Sequence, residues 1–120
     1  MEKCAQAGVK VVILTATPIG ENLANANNQK LAPYNDFLRT LAKEKKLLLA
    51  DLSADFAAKL KDRPADSKAN SLTSDGVHMN AAGNRIMARG VLRAFGLDEA
   101  QLKKAEEFWM AASVKPPTLR

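Results

Sequence analysis

Histidine, cysteine, tryptophan and tyrosine each occur once in the 120 residues, and aromatic rings account for 5% of the chain. A lone cysteine, Cys4, excludes an intrachain disulfide and any cysteine-based metal cluster. With one histidine beside it, a structural metal site has too few nitrogen and sulfur ligands. No metal and no cofactor is expected. Cys4 itself lies in the helix-like stretch "MEKCAQAG" and reads as a half-buried, inert thiol. No apolar run approaches the roughly 20 residues that cross a bilayer. "MEKCAQAG" also lacks the basic start, apolar middle and small-residue cleavage site of a secretory signal. As written, the chain reads as cytoplasmic, with no membrane partner. The scarcity of aromatics also bears on the net charge of +5. Lysines and arginines sit at helix ends and polar faces (Lys43, Lys45 and Lys46; Lys59, Lys61 and Arg63), with no basic stripe interleaved with rings. Such a surface is solvated rather than shaped for nucleic acid, so no nucleic-acid partner is expected.

What is present is an ordinary globular composition, 47% hydrophobic and 26% charged, in a chain long enough for one small core. Residues 1–7 read as a helix closed by Gly8. In "VKVVILTATP" the residues Val9, Val11, Val12, Ile13 and Leu14 form a β-branched and aliphatic run, as in a strand covered on both faces of a parallel sheet. A polar, asparagine-rich loop, "GENLANANNQK", follows. Leu31, Tyr34, Phe37, Leu38 and Leu41 then recur at helical spacing, and "LLLADL" (47–52) reads as a second buried strand. Ser53 is expected to cap a short helix, "ADFAAKLKD", that Pro64 stops. Asn80 is a good N-cap for "AAGNRIMARGVLRAF". There Gly83, Ile86, Met87, Gly90, Val91, Ala94 and Phe95 form one face, whose glycines let the helix lie close to a neighbour. Asp98 caps a last helix with a stripe of Leu102, Ala105, Phe108 and Trp109. Residues 1–112 form the domain and 113–120 a loose tail. Alternating helices and strands imply right-handed crossovers and a parallel sheet. Two strands are too few to stabilise such a sheet alone.

The polar loop before the fourth of these long segments ends in "SDGVHMNAAG" (74–83). Asp75 precedes His78 by three residues with Gly76 between them, so one turn can bring the carboxylate to the ring. A carboxylate that accepts the Nδ1 hydrogen fixes the imidazole's tautomer and stabilises its protonated form, which suits the ring for general-base chemistry. Spacing alone also fits an ordinary Asp-Gly turn with a surface histidine beside it.

"TSDGVHMNAAGNRIMARGVLRAFG" resembles the last block of the SGNH (GDSL-type) hydrolases, in which a D-x-x-H supplies the triad acid and base. "GVKVVILTATPIGE", "YNDFLRTLAKEKKLLLADLSADF" and "GLDEAQLKKAEEFW" extend the likeness, in the family's order, over most of the chain. Met79 stands where relatives often carry proline or leucine, and Lys46 where a helix-ending glycine is common. The resemblance implies an α/β fold: a three-layer, flavodoxin-like parallel sheet, here truncated to about two strands plus helices and completed by oligomerisation. It implies an esterase- or lipase-like serine hydrolase of small ester substrates, with Asp75 as triad acid and His78 as general base. Thr17 and Asn22, after the first strand, are candidates to line the substrate pocket, since ligands gather at the carboxyl ends of parallel strands.

The family's other blocks are not found: no G-D-S carries a nucleophilic serine, and no G-x-N-D supplies oxyanion hydrogen bonds. Among the serines present, Ser74 should point away from a ring already engaged with Asp75, Ser67 and Ser71 are placed to fold back from the preceding loop, Ser53 caps a helix and Ser113 belongs to the tail. Two expectations follow. The chain is the acid–base half of an esterase whose serine comes from another copy, in a dimer or higher homo-oligomer, or from an N-terminal half of the enzyme. Alternatively, it is a catalytically inactive, oligomerising module of the same fold.

Overall fold

A computed structural model of the chain describes residues 1–61, 63–64, 67 and 69–113. The elements run α1 (Glu2–Gln6), β1 (Val12–Leu14), α2 (Ala26–Glu44), β2 (Leu48–Ala50), α3 (Leu52–Leu60), α4 (Ala81–Ala94) and α5 (Glu99–Ser113). β1 and β2 pair in parallel, with Val12 opposite Leu48 and Leu14 opposite Ala50, so the long helix α2 is the crossover between them. This is the expected order of helices and strands around an α/β core. Helix α5 reaches Ser113, one residue into the expected tail; residues 114–120 lie outside the described residues.

Local chemistry sets the element ends. Gly8 takes φ +68° after α1, and the Val9 N–H donates back to the Cys4 carbonyl at 2.8 Å, closing the helix. Cys4 is half-buried, as expected. Lys46 closes α2 in the same way at φ 53°, the one non-glycine with positive φ among the described residues; the Leu47 N–H reaches the Ala42 carbonyl. At the start of α2 the asparagine-rich segment is cap rather than loop: the Asn25 side chain accepts the Asn28 N–H, and the helix begins five residues before Leu31. Asp98 and Gln101 exchange backbone-to-side-chain bonds of 2.8 and 2.9 Å, a capping box that opens α5.

Four expectations need correction. Ser53 does not cap α3. Asp51 does, accepting the Ala54 N–H, and its carboxylate also takes the Thr15 hydroxyl and two Arg39 nitrogens. That shared carboxylate joins the ends of both strands to α2. The Arg39 bonds, together with the Thr15 hydroxyl, outweigh partial burial and hold the Asp51 carboxyl below its ordinary range. The α2 stripe is also rotated: Tyr34 and Phe37 are 69% and 62% exposed, while Asn35 and Ala42 are buried. Asn35 turns the helix because its amide pairs with both the N–H and the carbonyl of Ala16, backbone groups that β1 leaves unpaired as it ends. Likewise Leu102 is buried in α5 but Phe108 is exposed. Finally, β1 is not covered on both faces, since Leu14 lies exposed and Val12 and Ile13 are only half-buried.

The core gathers where α3, α4 and the loop between them meet. Phe56, Leu60 and Leu72 are buried together, with Met79, Ala82, Ile86 and Met87 packed on them. The expected close approach of α4 is observed. A Cβ on Gly90 would stand 2.6 Å from an Asp55 carboxylate oxygen, and one on Gly83 would overlap the Leu72 carbonyl oxygen. Gly83 therefore presses the start of α4 directly onto the loop that carries Asp75 and His78.

Candidate active site

Residues 72–80 form a narrow turn. Thr73 and Met79 make an antiparallel bridge, the Ser74 N–H donates to the His78 carbonyl, and the Asn80 N–H donates to the Leu72 carbonyl. Asn80 then caps α4, its side-chain oxygen accepting the Ala82 and Gly83 amides at 2.9 and 3.1 Å. The turn thus stands on a capped helix at one end and on the core through Leu72 at the other.

Within the turn Gly76 adopts φ +91°, a conformation that a side chain would strain. Asp75 Oδ1 accepts the Val77 and His78 N–H groups at 2.9 and 2.8 Å, the pattern of an Asx turn. Its other oxygen, Oδ2, lies 2.7 Å from His78 Nδ1. The His78 amide, then the ring, then the Val77 amide hold the Asp75 carboxyl well below the usual carboxylate range. In return, the hydrogen bond and charge of Asp75 raise the imidazole above its ordinary value. An ionised Asp75 can only accept, so Nδ1 carries the hydrogen and Nε2 of the neutral ring is left as a base. Nε2 has no partner among the described residues, and the His78 side chain is 80% exposed.

The structure therefore brings Asp75 and His78 together; Thr17 and Asn22 share no hydrogen bond with them. Thr17 is half-buried beyond β1 and makes no hydrogen bond to either residue. Asn22 spends its side-chain oxygen on the Ala24 N–H, shaping the entry to α2. The segment between them does reach the turn: the Gly20 N–H donates to the Gly76 carbonyl at 2.6 Å. Three of the serines are engaged elsewhere. Ser71 Oγ donates to Glu21, Ser74 Oγ to the His78 carbonyl and Ser67 Oγ to the Ala69 carbonyl.

Glu21 is the residue that sequence reasoning passed over. Its side chain is 2% exposed, yet its carboxylate accepts from the Ser71, Leu72 and Thr73 amides and from the Ser71 and Thr73 hydroxyls. Burial works against the charged form, but those hydrogen bonds outweigh it and hold the pKa down to about 2. Arg63 lies 3.8 Å away through its buried Nε and binds the Ser67 and Ala69 carbonyls. Among the described residues no three His, Cys, Asp or Glu side chains gather as a metal site, and no helix is long and apolar enough to cross a membrane.

The parallel β–α–β crossover is common to many α/β proteins, and the comparisons place it. A profile of the GDSL-like lipase/acylhydrolase family matches residues 2–86, and the chain belongs to that family. Among solved structures it is similar to the acetyl xylan esterase AlAXEase, with 33% identity over 78% of this chain and 48% of that one, at a TM-score of 0.69. It is also similar to LAE5, an α/β hydrolase from the metagenome of Lake Arreo, Spain. There the identity is 28% over 79% of this chain and 43% of that one, at a TM-score of 0.63. A third likeness is to Axe2, an acetylxylan esterase from Geobacillus stearothermophilus, at 25% identity over 81% of this chain and 44% of that one, TM-score 0.65. The chain thus spans about half the length of these enzymes. A comparison with curated protein sequences gives no match.

Proposed function

We propose that this chain supplies the acid and the general base of a carboxylic ester hydrolase, with acetyl esters on xylan or xylo-oligosaccharides as its substrate class. The 2.7 Å contact of His78 Nδ1 with Asp75 Oδ2, which leaves Nε2 unpartnered, carries the reading. The substrate class rests on the likeness to the two acetylxylan esterases.

Chemically, His78 Nε2 takes the proton of a serine hydroxyl as its oxygen attacks the ester carbonyl carbon. The imidazolium, stabilised by Asp75, then gives that proton to the leaving alkoxide as the carbon–oxygen bond breaks. Water deacylates the serine by the same two proton transfers, releasing acetate. The serine itself comes from another copy of the chain or from the part of the fold that these 120 residues do not include. Because β1 offers an open edge beside the exposed Val9 and Leu14, such a partner has a strand to pair with.

Labelling with a fluorophosphonate tests this reading, because the probe reacts only with a serine activated by a base. Labelling that disappears in His78→Ala supports it, and peptide mapping then identifies the serine and the chain it belongs to. Absent labelling in the native assembly, or labelling there that is equal in wild type and His78→Ala, refutes it. That result favours the second reading: an oligomerising module of the same fold, to which the same open edge and engaged serines point.

A further inference from the structure

Glu21 sits in the connection after β1, about fifty residues before the loop whose amides it collects, and nothing in the proton transfers above uses it. A carboxylate so enclosed is costly unless every lone pair is used, and here they are. Oε1 accepts from the Leu72 N–H, the Thr73 N–H and the Thr73 hydroxyl, at 2.7, 2.8 and 2.9 Å. Oε2 accepts from the Ser71 N–H and hydroxyl at 2.7 and 2.9 Å. Since the carboxylate can only accept, the Thr73 hydroxyl must donate to it, and that leaves Thr73 Oγ1 free to accept the Gly76 N–H at 3.1 Å. One polar relay therefore runs from Glu21 through Thr73 into the turn between Asp75 and His78. On the other side, the backbone beside Glu21 grips the same residue, the Gly20 N–H bonding the Gly76 carbonyl. Both backbone groups of Gly76 are thus tied to residues 20–21.

We propose that Glu21 is a positioning residue for the Asp75–His78 pair. Through Thr73 and the neighbouring Gly20–Gly76 bond it fixes the turn that sets the imidazole on the carboxylate. The catalytic consequence rests on the hydrolase reading; the structural one does not.

The single histidine makes the test direct, because one imidazole proton resonance reports His78 with no assignment problem. Glu21→Gln keeps the shape of the side chain but sets an amide N–H₂ against donors, whichever way it is turned, since each oxygen now accepts only. Thr73→Val cuts the relay alone and leaves the carboxylate with its amide bonds. The titration of His78 by NMR is expected to move down toward the ordinary imidazole value in both variants, further in Glu21→Gln, while the far-UV spectrum stays that of the folded chain. In a hydrolysis assay kcat falls by about 10- to 100-fold, as expected when a catalytic group is misplaced, with KM little changed. A folded Thr73→Val or Glu21→Gln chain that titrates like wild type overturns the proposal. Should Glu21→Gln unfold, Thr73→Val decides alone. A downward shift in a chain whose native assembly hydrolyses no ester upholds the positioning role and refutes the hydrolase reading instead.

Discussion

Replacing Gly83 by alanine puts the helix-on-loop packing to a quantitative test. On propensity alone the change should help, since alanine in a helix is favoured over glycine by about 1 kcal/mol. The structure reverses that sign. The added methyl would overlap the Leu72 carbonyl oxygen and stand 3.1 Å from Met79 Sδ. The sulfur can swing aside, but the carbonyl cannot, because it already accepts the Asn80 N–H at 3.0 Å and belongs to a residue 2% exposed in the core. Either α4 moves away, or the Leu72 peptide turns and gives up its hydrogen bond. Overpacking of this kind costs about 1–3 kcal/mol and a lost buried hydrogen bond about 1 kcal/mol more. Set against the propensity gain, the net destabilisation is about 1–3 kcal/mol. For a chain of this length each kcal/mol lowers Tm by roughly 3–6 °C. Thermal and urea unfolding followed by circular dichroism are the assays, with a drop of at least about 3 °C expected. A Gly83→Ala chain as stable as wild type would show that α4 does not bear on the loop as described.

Two further outcomes follow from the charged groups. In Asp75→Asn the Val77 and His78 amides keep an acceptor, but the imidazole loses its counter-charge. The His78 titration should fall toward its ordinary value, and any hydrolysis should drop by about 10²–10⁴-fold, read by NMR and by an ester assay. Because the folded-state imidazole is raised, the small stabilisation from this exposed pair is present below the ordinary value near 6.5 and disappears as pH rises through the folded value. Glu21 acts in the opposite sense: its pKa is depressed from 4.5 to about 2, so its stabilisation is full above 4.5 and is lost as pH falls toward 2. Acid unfolding of Glu21→Gln should therefore be flatter across that window; it stays sloped, since Asp51 and Asp75 are lowered as well. An unchanged slope would remove Glu21 from the acid response.

Sequence periodicity and turn chemistry carried most of the fold. The strand–helix–strand order, the parallel pairing, the Asn80 cap and the glycines of α4 were legible because each depends on residues close in sequence. Asp75 and His78 were legible for the same reason: a three-residue spacing with Gly76 leaves one turn to bring them together. What escaped was polar and distant. Asn35 rotates α2 by satisfying Ala16, Asp51 displaces Ser53 as a cap because it also holds Thr15 and Arg39, and Glu21 finds its partners some fifty residues on. Such residues look like ordinary surface polar groups in the sequence. Only the fold shows which backbone amides are left for them to satisfy.

The central claim is that His78 is a catalytic base held by Asp75, and the hydrolysis of 4-nitrophenyl acetate tests it most directly. Measured on the chain in its native assembly, kcat/KM is expected to fall by about 10²–10⁴-fold in His78→Ala, with the thermal transition unmoved. Rates that are equal in wild type and His78→Ala would contradict the account.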